Sequence, residues 1–296
     1  MRFDFDWVDA FTDRPFGGNG CAVVHGGAAL SAETCMAYVR ETSLVECTFT
    51  GPSDVADLRV RYFLASREIP FAGHPTIATV AALRHRGLIG DGPLQLETGA
   101  GIVPVDVAGD TITMTQVAPT FGAEIPADLV AAVGSIDPGD IVSPPQVVST
   151  GLPFCVTVLR DRAAIDHLRL DPYAHATYAE ALGHRSLDMM EPYWITMGGA
   201  TETGDTYARL LIARPGPPED PFTGSATGAA ACYLWARGLL DRPDFVAEQG
   251  HGMGRPGQAQ VSVTGPRNAI TGVTVAGQGC VVMSGDVFLP AEGEER

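Results

Sequence analysis

Two stretches of the sequence decide the fold: residues 68–78 have the sequence EIPFAGHPTIA, and residues 219–229 have the sequence EDPFTGSATGA. With their offset of 151 residues held fixed, 13 of the 34 positions from 68 to 101 are identical without a gap. A run of identities this long favours a duplicated structural unit over a coincidence of small residues.

Each copy predicts the same order of elements. An extended segment, 58–64 in the first copy and 207–212 in the second, leads into the motif E-x-P-F-x-G. A helix follows, at about 74–86 and about 225–237, and ends at Arg-Gly-Leu, where the glycine suits the position just after a helix. A strand then ends at Glu-x-Gly-x-Gly. The repeat therefore predicts two β-rich domains, each wrapped around one central helix.

The rest of the chain is dominated by strand patterns. Residues 3–8 alternate between apolar and polar side chains, which predicts a strand. Two hairpins are predicted, one around Gly109-Asp110 and one around Ser284-Gly285-Asp286 between strands 280–283 and 287–289. Ser31 is predicted to cap a helix that runs to Arg40, and another helix is expected near 172–182.

These elements predict an α+β protein with two pseudo-symmetric domains. Prolines at 119, 126, 138, 144 and 145 indicate a linker over 118–150. We expect an N-terminal domain over 1–118, completed by a C-terminal strand at about 280–296, and a second domain over 119–279.

The charge balance excludes several chemistries. The chain has 35 acidic and 19 basic residues, a net charge of -16, and no lysine, so every basic residue is an arginine. Schiff-base catalysis, a P-loop and Ser-Lys mechanisms are therefore impossible. The acidity disfavours nucleic acid and anionic membranes as partners. The six cysteines form no CxxC pair, which disfavours a zinc site, and the apolar runs are too short to predict a membrane span. The N-terminus alternates acidic and apolar residues, which predicts a cytoplasmic protein without a signal peptide.

The repeat also points to a candidate site. Each repeated helix starts directly after a glycine, and helix N-termini offer free N–H groups and a positive dipole end that suit a carboxylate. The glycines are equally explained by close packing of helix on strand. Beside these starts lie His74, Glu219 and Asp220. We expect His74 to be neutral and able to hydrogen-bond a substrate, or else to act as a helix cap; Asp220 has the same two interpretations.

One further carboxylate lies inside a β-type run, SLVECTFT, at residues 43–50. Flanked by Val45 and Cys47, Glu46 is a candidate for a desolvated general acid/base with a raised pKa. Alternation also allows Glu46 to face solvent on an edge strand.

At these residues the chain resembles the PhzF family of phenazine-biosynthesis isomerases, which has the diaminopimelate-epimerase-like fold. The matching stretches are DAFTDRPFGGN at 9–19, RETSLVE at 40–46, EIPFAGHPT at 68–76, EDPFTGSA at 219–226 and QGHGMGRP at 249–256. The resemblance implies two similar domains with a cleft between them, no cofactor and no metal, a homodimer, and a small-molecule carboxylate as substrate.

The resemblance also implies roles for single residues. The glutamate matching Glu46 moves a proton between two carbons of trans-2,3-dihydro-3-hydroxyanthranilate, while His74 and Asp220 hold and polarise the substrate. Substrate contacts are expected from five further residues, Asn19, Gly73, Thr76, Gly224 and Ser225. The implied enzyme is an isomerase of phenazine-like or other antibiotic biosynthesis.

Departures from the family pattern leave two alternatives open. Racemases and epimerases of this fold use two cysteines, and Ala72 and Thr223 stand at those positions here, which disfavours a racemase. In the segment Gly18–Cys21, Cys21 departs from the proline-containing motif of the family. Val45 and Cys47, beside Glu46, replace small polar residues of the family. These differences affect the expected pocket, so the resemblance predicts the type of reaction better than the identity of the substrate. The second alternative is a non-catalytic binding protein, because fold alone does not fix function.

Overall fold

The computed structural model describes residues 1–183, 191–213 and 216–290. The chain divides into two compact units, one formed by Met1–Thr115 together with the C-terminal segment that begins at Ala276, and the other by Gln116–Val275. Residues 291–296 of the expected C-terminal strand lie outside the described residues.

The first unit has nine strands and two α-helices among the described residues. The strands are Arg2–Ala10 (β1), Asn19–Val24 (β2), Glu46–Gly51 (β3), Leu58–Phe63 (β4), Glu68–Ile69 (β5), Gly92–Thr98 (β6), Gly101–Ala108 (β7), Thr111–Gln116 (β8) and, near the C-terminus, Gly279–Phe288 (β18). The helices are Ala32–Thr42 (α1) and Gly73–His85 (α2), with a short 3-10 turn at Gly27–Ala29.

The second unit repeats this plan with more helix. Its strands are Thr120–Glu124 (β9), Gln146–Ser149 (β10), Pro153–Leu159 (β11), Pro192–Met197 (β12), Thr206–Leu211 (β13), Glu219–Asp220 (β14), Asp244–Gln249 (β15), Gly257–Thr264 (β16) and Gly272–Gly277 (β17). Its helices are Ala127–Gly134 (α3), Arg162–His167 (α4), Pro172–Ala181 (α5) and Gly224–Ala236 (α6), with 3-10 turns at Pro138–Asp140 and His251–Met253.

Strand pairing has the same order in both units. In the first, β18, β1, β2, β3 and β4 lie side by side, β4 pairs with both β5 and β6, and β7 and β8 follow. In the second, β9 to β13 lie side by side, β13 pairs with β14 and β15, and β16 follows. The parallel pairs are β2–β3 and β4–β6 in one unit, and β11–β12 and β13–β15 in the other.

Each sheet curves around one central helix. Every residue from Gly73 to Leu83 of α2 and from Gly224 to Leu234 of α6 is buried. Helix α2 packs against β1, β2, β3 and β18, and α6 packs against β10, β11, β12 and β16. A helix buried on all sides needs apolar or small residues all round, and the Ala- and Thr-rich repeats supply them. The predicted fold, a β-barrel-like sheet around a central helix in each half, is confirmed.

Both central helices end as the repeat predicts. Gly87 and Gly238 have φ angles of +68° and +69°, a left-handed conformation that glycine adopts without strain. The next residue in each copy, Leu88 or Leu239, donates its N–H to the carbonyl of the leucine five residues earlier at 2.9 Å. This bond satisfies a carbonyl that the helix end would otherwise leave without a partner.

Two smaller predictions are also confirmed. Ser31 caps α1, because its hydroxyl oxygen accepts the Thr34 N–H at 3.2 Å. Helix α5, Pro172–Ala181, occupies the predicted region.

The predicted hairpin around Ser284-Gly285-Asp286 is wrong. These residues lie in the continuous strand β18 and pair in register with Asp4, Phe5 and Asp6 of β1. The Ser284 hydroxyl donates to the buried Asp6 carboxylate at 2.6 Å. A nine-residue partner strand keeps the stretch extended where its local sequence favours a turn.

The predicted linker over 118–150 is also wrong, because β9, α3 and β10 occupy it. Its prolines lie at element boundaries: Pro126 precedes α3, Pro138 begins a 3-10 turn, and Pro145 precedes β10. Proline is tolerated at the start of a helix and at the end of a strand, so these residues delimit elements.

Candidate active site

Glu46 is the first residue of β3 and is 7% exposed. Strand β3 lies between β2 and β4, so the interpretation of Glu46 as a solvent-facing residue on an edge strand is wrong. Side chains alternate along the strand: Thr48 hydrogen-bonds Thr79 of α2 at 3.0 Å, whereas Cys47 and Phe49 pack with the residues of α1. The alternation places Glu46 on the face of β3 that carries Thr48, toward the central helix.

His74 lies in the first turn of α2 and is 3% exposed. Its Nδ1 atom is 3.6 Å from Oε2 of Glu46 and 3.0 Å from the amide nitrogen of Asn19, the first residue of β2. The contact with Asn19 fixes the imidazole ring against the start of β2. Three elements thus bring Glu46, His74 and Asn19 together.

Burial lowers the pKa of His74 to about 3, and a backbone hydrogen bond with Gly20 opposes the shift only in part. The imidazole is therefore neutral near pH 7. Its Nε2 atom is buried and has no hydrogen-bond partner among the described residues. A buried polar atom left unsatisfied costs about 1–3 kcal/mol, so a polar atom of a bound molecule would be favoured there.

The two other predicted residues of this helix shape its first turn. Gly73 is the first residue of α2. The Thr76 hydroxyl donates to the Ala72 carbonyl at 2.7 Å and lies 2.9 Å from the Tyr62 hydroxyl. Because the single hydrogen of Thr76 is used on Ala72, Tyr62 is the donor in the second bond. These bonds hold the start of α2 in the first unit.

In the second unit, Asp220 lies at the end of β14 and is 4% exposed. The Thr223 hydroxyl donates to Oδ2 of Asp220 at 2.6 Å. Thr223 is also the residue directly before α6, which begins at Gly224, and its side chain does not cap the helix. The aspartate is therefore held beside the helix start by the residue that precedes the helix.

Gly224 and Ser225 form the first turn of α6, and both are buried. The Gly224 carbonyl accepts a hydrogen bond from the side-chain amide of Gln116 at 3.0 Å. This bond requires close approach, because a Cβ atom at Gly228 would lie 2.0 Å from the Gln116 side-chain oxygen.

Glu219 has a structural partner. Its two carboxylate oxygens accept from Nε and Nη2 of Arg209 at 2.9 and 2.7 Å. The first copy has the same bidentate pair, Arg61 with Glu68, at 2.8 and 2.7 Å. The repeated glutamate of E-x-P-F-x-G thus anchors its segment to the preceding strand, and this pairing assigns Glu219 to the scaffold.

The sequence-based prediction did not assign a role to Gln249, the last residue of β15. Its side chain is completely buried and hydrogen-bonds both Asp220 and Thr223. The available signal was a break in the repeat: Thr98 stands at the equivalent position, between glutamate and glycine residues that the two copies share.

No group of three or more His, Cys, Asp or Glu side chains among residues 1–183, 191–213 and 216–290 is arranged to hold a metal ion. None of the helices in the described part of the chain combines the length and apolar composition needed to span a bilayer.

Two buried helices, each enclosed by a sheet of the same strand order, with a glutamate and a neutral histidine beside one helix start, define a protein of the diaminopimelate-epimerase-like fold. The chain belongs to the family of phenazine biosynthesis-like proteins, PhzC-PhzF, which it matches over residues 8–285.

Relatives and a solved structure agree with this assignment. An uncharacterized isomerase of Salmonella typhimurium, YddE, is 30% identical over 291 residues, covering 93% of this chain and 95% of that protein. The trans-2,3-dihydro-3-hydroxyanthranilate isomerase of Pseudomonas aeruginosa is 31% identical over 292 residues, covering 95% and 98%. A PhzF-family phenazine biosynthesis protein of Bacillus anthracis superimposes with a TM-score of 0.85 at 25% identity, covering 97% and 99%.

Proposed function

We propose that the protein is a cofactor-independent isomerase that moves a proton, and with it a double bond, in a small unsaturated cyclic amino or carboxylic acid. The observation that carries the proposal is the buried Glu46 carboxylate, 3.6 Å from a neutral His74 whose Nε2 has no partner among the described residues. Relatives named as isomerases support the same class.

In the proposed reaction, the Glu46 carboxylate removes a proton from one carbon of the substrate. The electron pair of the broken C–H bond spreads over the conjugated system and places negative charge on a substrate oxygen. In this proposal His74 carries its hydrogen on Nε2 and donates a hydrogen bond to that oxygen, which lowers the energy of the anion. Glu46 then returns the proton to a different carbon, so the double bond shifts and no atom or electron is gained or lost.

We further propose that the first turn of each central helix, α2 in one unit and α6 in the other, binds polar groups of a substrate. Helix N-termini favour anions, which allows a chain without lysine to bind a carboxylate. Gly73 and Gly224 supply backbone groups, and Ser225 and Asp220 supply polar side chains for this purpose. Trans-2,3-dihydro-3-hydroxyanthranilate, the substrate named for the relative from Pseudomonas aeruginosa, is the first compound to test.

The test is isomerisation of this compound in heavy water, followed by NMR and mass spectrometry. We expect the wild-type protein to form product and to incorporate deuterium at the carbon that receives the proton. Glu46→Gln preserves the shape of the side chain but cannot accept a proton, so it should abolish both. Turnover by Glu46→Gln at the wild-type rate would contradict the mechanism.

A racemase that uses two thiols is not favoured, because Ala72 and Thr223 occupy the positions that this mechanism gives to cysteine. Burial also raises the pKa of the Cys47 thiol, which neighbours Glu46, to about 12, so it is not a thiolate at neutral pH. Exchange of the α-proton of amino acids in heavy water would support a racemase. Substrate binding without turnover would support a binding protein.

A further inference from the structure

Gln249 uses every hydrogen-bonding group of its side chain within the second unit. Nε2 donates to the Asp220 carbonyl at 2.7 Å and to the Thr223 hydroxyl at 3.2 Å. Oε1 accepts from the Thr223 N–H at 3.1 Å, and the Tyr193 hydroxyl, whose single hydrogen is shared with the Thr227 hydroxyl at 3.1 Å, lies 3.2 Å from it. Both hydrogens and the oxygen of the Gln249 amide are thus hydrogen-bonded, although the side chain is completely buried.

The backbone fixes the orientation of this amide. The Asp220 carbonyl can only accept and the Thr223 N–H can only donate, so the side-chain nitrogen and oxygen of Gln249 cannot exchange places. The amide nitrogen therefore donates to the Thr223 hydroxyl. The hydrogen of that hydroxyl is then directed to Oδ2 of Asp220, at 2.6 Å.

Close backbone approach makes this arrangement possible. Gly250 follows Gln249 with φ +83°, and a Cβ atom there would lie 2.6 Å from the Pro221 carbonyl. Glycine thus lets the end of β15 press against the segment that carries Asp220.

The repeat shows which part of this arrangement is specific to the second copy. With the offset of 151 residues, Asp220, Thr223 and Gln249 replace Ile69, Ala72 and Thr98. The three replacements form one hydrogen-bonded chain, from Gln249 through Thr223 to Asp220.

Thr98, the counterpart of Gln249, bonds only within its own turn. Its hydroxyl donates to the Gly101 carbonyl at 2.8 Å and accepts the Ala100 N–H at 3.2 Å. The polar chain is therefore not required by the fold that the two copies share.

We propose that Gln249 is a positioning residue: through Thr223 it fixes the position of the Asp220 carboxylate for substrate. The inference rests on the proposed function, which gives Asp220 a substrate contact. Gln249 itself acts through Thr223 and Asp220 and does not touch substrate.

Two variants separate the contacts of Gln249. Gln249→Met keeps an unbranched side chain and removes every hydrogen bond of the Gln249 amide. Gln249→Glu keeps the two acceptor contacts and removes both donations, including the one that orients Thr223. Thr98→Val is the matched control at the equivalent position of the first copy.

The first measurement is hydrogen exchange at the Thr223 amide, which requires no substrate. We expect Gln249→Met to accelerate exchange at least 10-fold and Thr98→Val to leave it unchanged. Unchanged exchange in Gln249→Met would overturn the proposal. If Gln249→Met does not fold, Thr223→Val and Thr223→Ser test the same chain, and only the serine variant should retain wild-type kcat/KM.

The second measurement is kcat/KM for deuterium-incorporating turnover of trans-2,3-dihydro-3-hydroxyanthranilate, at a temperature well below the melting temperature of every variant. We expect about a 100-fold loss in both Gln249→Met and Gln249→Glu. In a Thr223→Val background, Gln249→Met should cost at most a further threefold, because residues in one hydrogen-bond network are not additive. A full additional 100-fold loss would show that Gln249 acts only by supporting the fold.

The two proposals fail differently. Absence of turnover by the wild-type protein on this and related dihydro-acids would refute the proposed function. Thr223 exchange would still determine whether Gln249 holds the Asp220 segment.

Discussion

The first turns of the two central helices, α2 and α6, are built on the same scaffold. Thr76 and Thr227 occupy equivalent positions and each donates its hydroxyl hydrogen to the carbonyl four residues earlier, at 2.7 and 2.9 Å. The preceding segment in each copy is tied to its strand by a bidentate Arg–Glu pair. The two copies therefore share the contacts that make the helix start rigid.

The polar groups beside these two turns differ. The first copy gathers Glu46, His74 and Asn19 from a strand, a helix and another strand. The second copy has Asp220 and Thr223, held by Gln249. A duplicated fold thus separates two requirements: what the copies share supports packing, and where they differ is where we expect the chemistry.

The strand pairings also relate two carboxylates, Glu46 in the first copy and Glu191 in the second. Ile69 and Asp220 are equivalent residues of the repeat. Tyr62 pairs with Ile69 and Leu210 pairs with Asp220, so Tyr62 and Leu210 are also equivalent. Counting back across the next strand makes Glu191 the counterpart of Glu46. One Glu191 carboxylate oxygen, Oε2, is buried without a hydrogen-bond partner among the described residues. The second copy has Ser225 at the position equivalent to His74, so Glu191 has no histidine counterpart there.

The largest expected difference between the copies is in these glutamates. Glu46→Gln should lower kcat by about 10³-fold, within the range for a general acid/base. Glu191→Gln should change kcat less than 10-fold, because no histidine lies at the equivalent helix position. Steady-state kinetics of both variants test this. Equal losses would break the comparison, since both copies would then carry a proton-transfer group.

The second comparison exchanges the helix residues. His74→Leu removes the Nε2–H donor and should lower kcat about 10²-fold, as for the loss of one donor to a developing oxyanion. Ser225→Ala, at the equivalent position, should cost about 10-fold and act mainly on KM, because we assign Ser225 to substrate binding. The same assay measures both variants. A larger kcat loss for Ser225→Ala would reverse the assignment of the two copies.

The shared ion pairs should differ in stability. The side chains of Arg209 and Glu219 are 13% and 10% exposed, whereas Glu68 in the other pair is 40% exposed. Glu219→Gln leaves a buried guanidinium uncompensated and should lower the free energy of unfolding by about 3 kcal/mol. Glu68→Gln should cost about 1 kcal/mol or less, because solvent screens that pair. Urea unfolding measures both, and equal losses would show that burial does not govern these pairs.

The last expected difference is a pH dependence confined to the first copy. The pKa of His74 is lowered from 6.5 to about 3, so the unfolded chain binds a proton below pH 6.5 that the folded chain does not. This contribution to stability is full above pH 6.5 and is lost as the pH falls toward 3; by pH 5 the loss is about 2 kcal/mol. Relative to wild type, His74→Leu should lack this part of the pH dependence in urea unfolding. Parallel curves would exclude it.

The sequence predicted the repeated parts of the fold well, because the repeat provided an internal check. The central helices, their C-terminal glycines and the strands before them have local patterns that occur twice. The stretch at 284–286 had no second copy to test it, and its turn-like composition was overridden by pairing with β1. The prolines of 118–150 predicted breaks correctly, but not the elements between the breaks.

The candidate site was predictable where one residue type implies a chemistry. The family motifs named Glu46, His74 and Asn19 as candidates, and the structure gives the distances between them. The network around Gln249 depends on which side chains the strand register brings together across 29 residues of sequence. The same limit applies to Glu219, whose pairing with Arg209 depends on the register of β13 and β14.

The pairing of β18 with β1 affects the order in which the two units can fold during synthesis. Ribosomes release the N-terminus first, and domains commonly fold in that order. Here β1 can pair with β2 early, but its other edge acquires β18 only after Gly279–Phe288 has been synthesised, whereas the unit Gln116–Val275 is continuous in sequence. The second unit can therefore complete its sheet first, while one edge of β1 remains unpaired until β18 has been synthesised. A hydrogen bond from the Leu289 N–H to the Met1 carbonyl, at 2.9 Å, extends the contact beyond the end of β18.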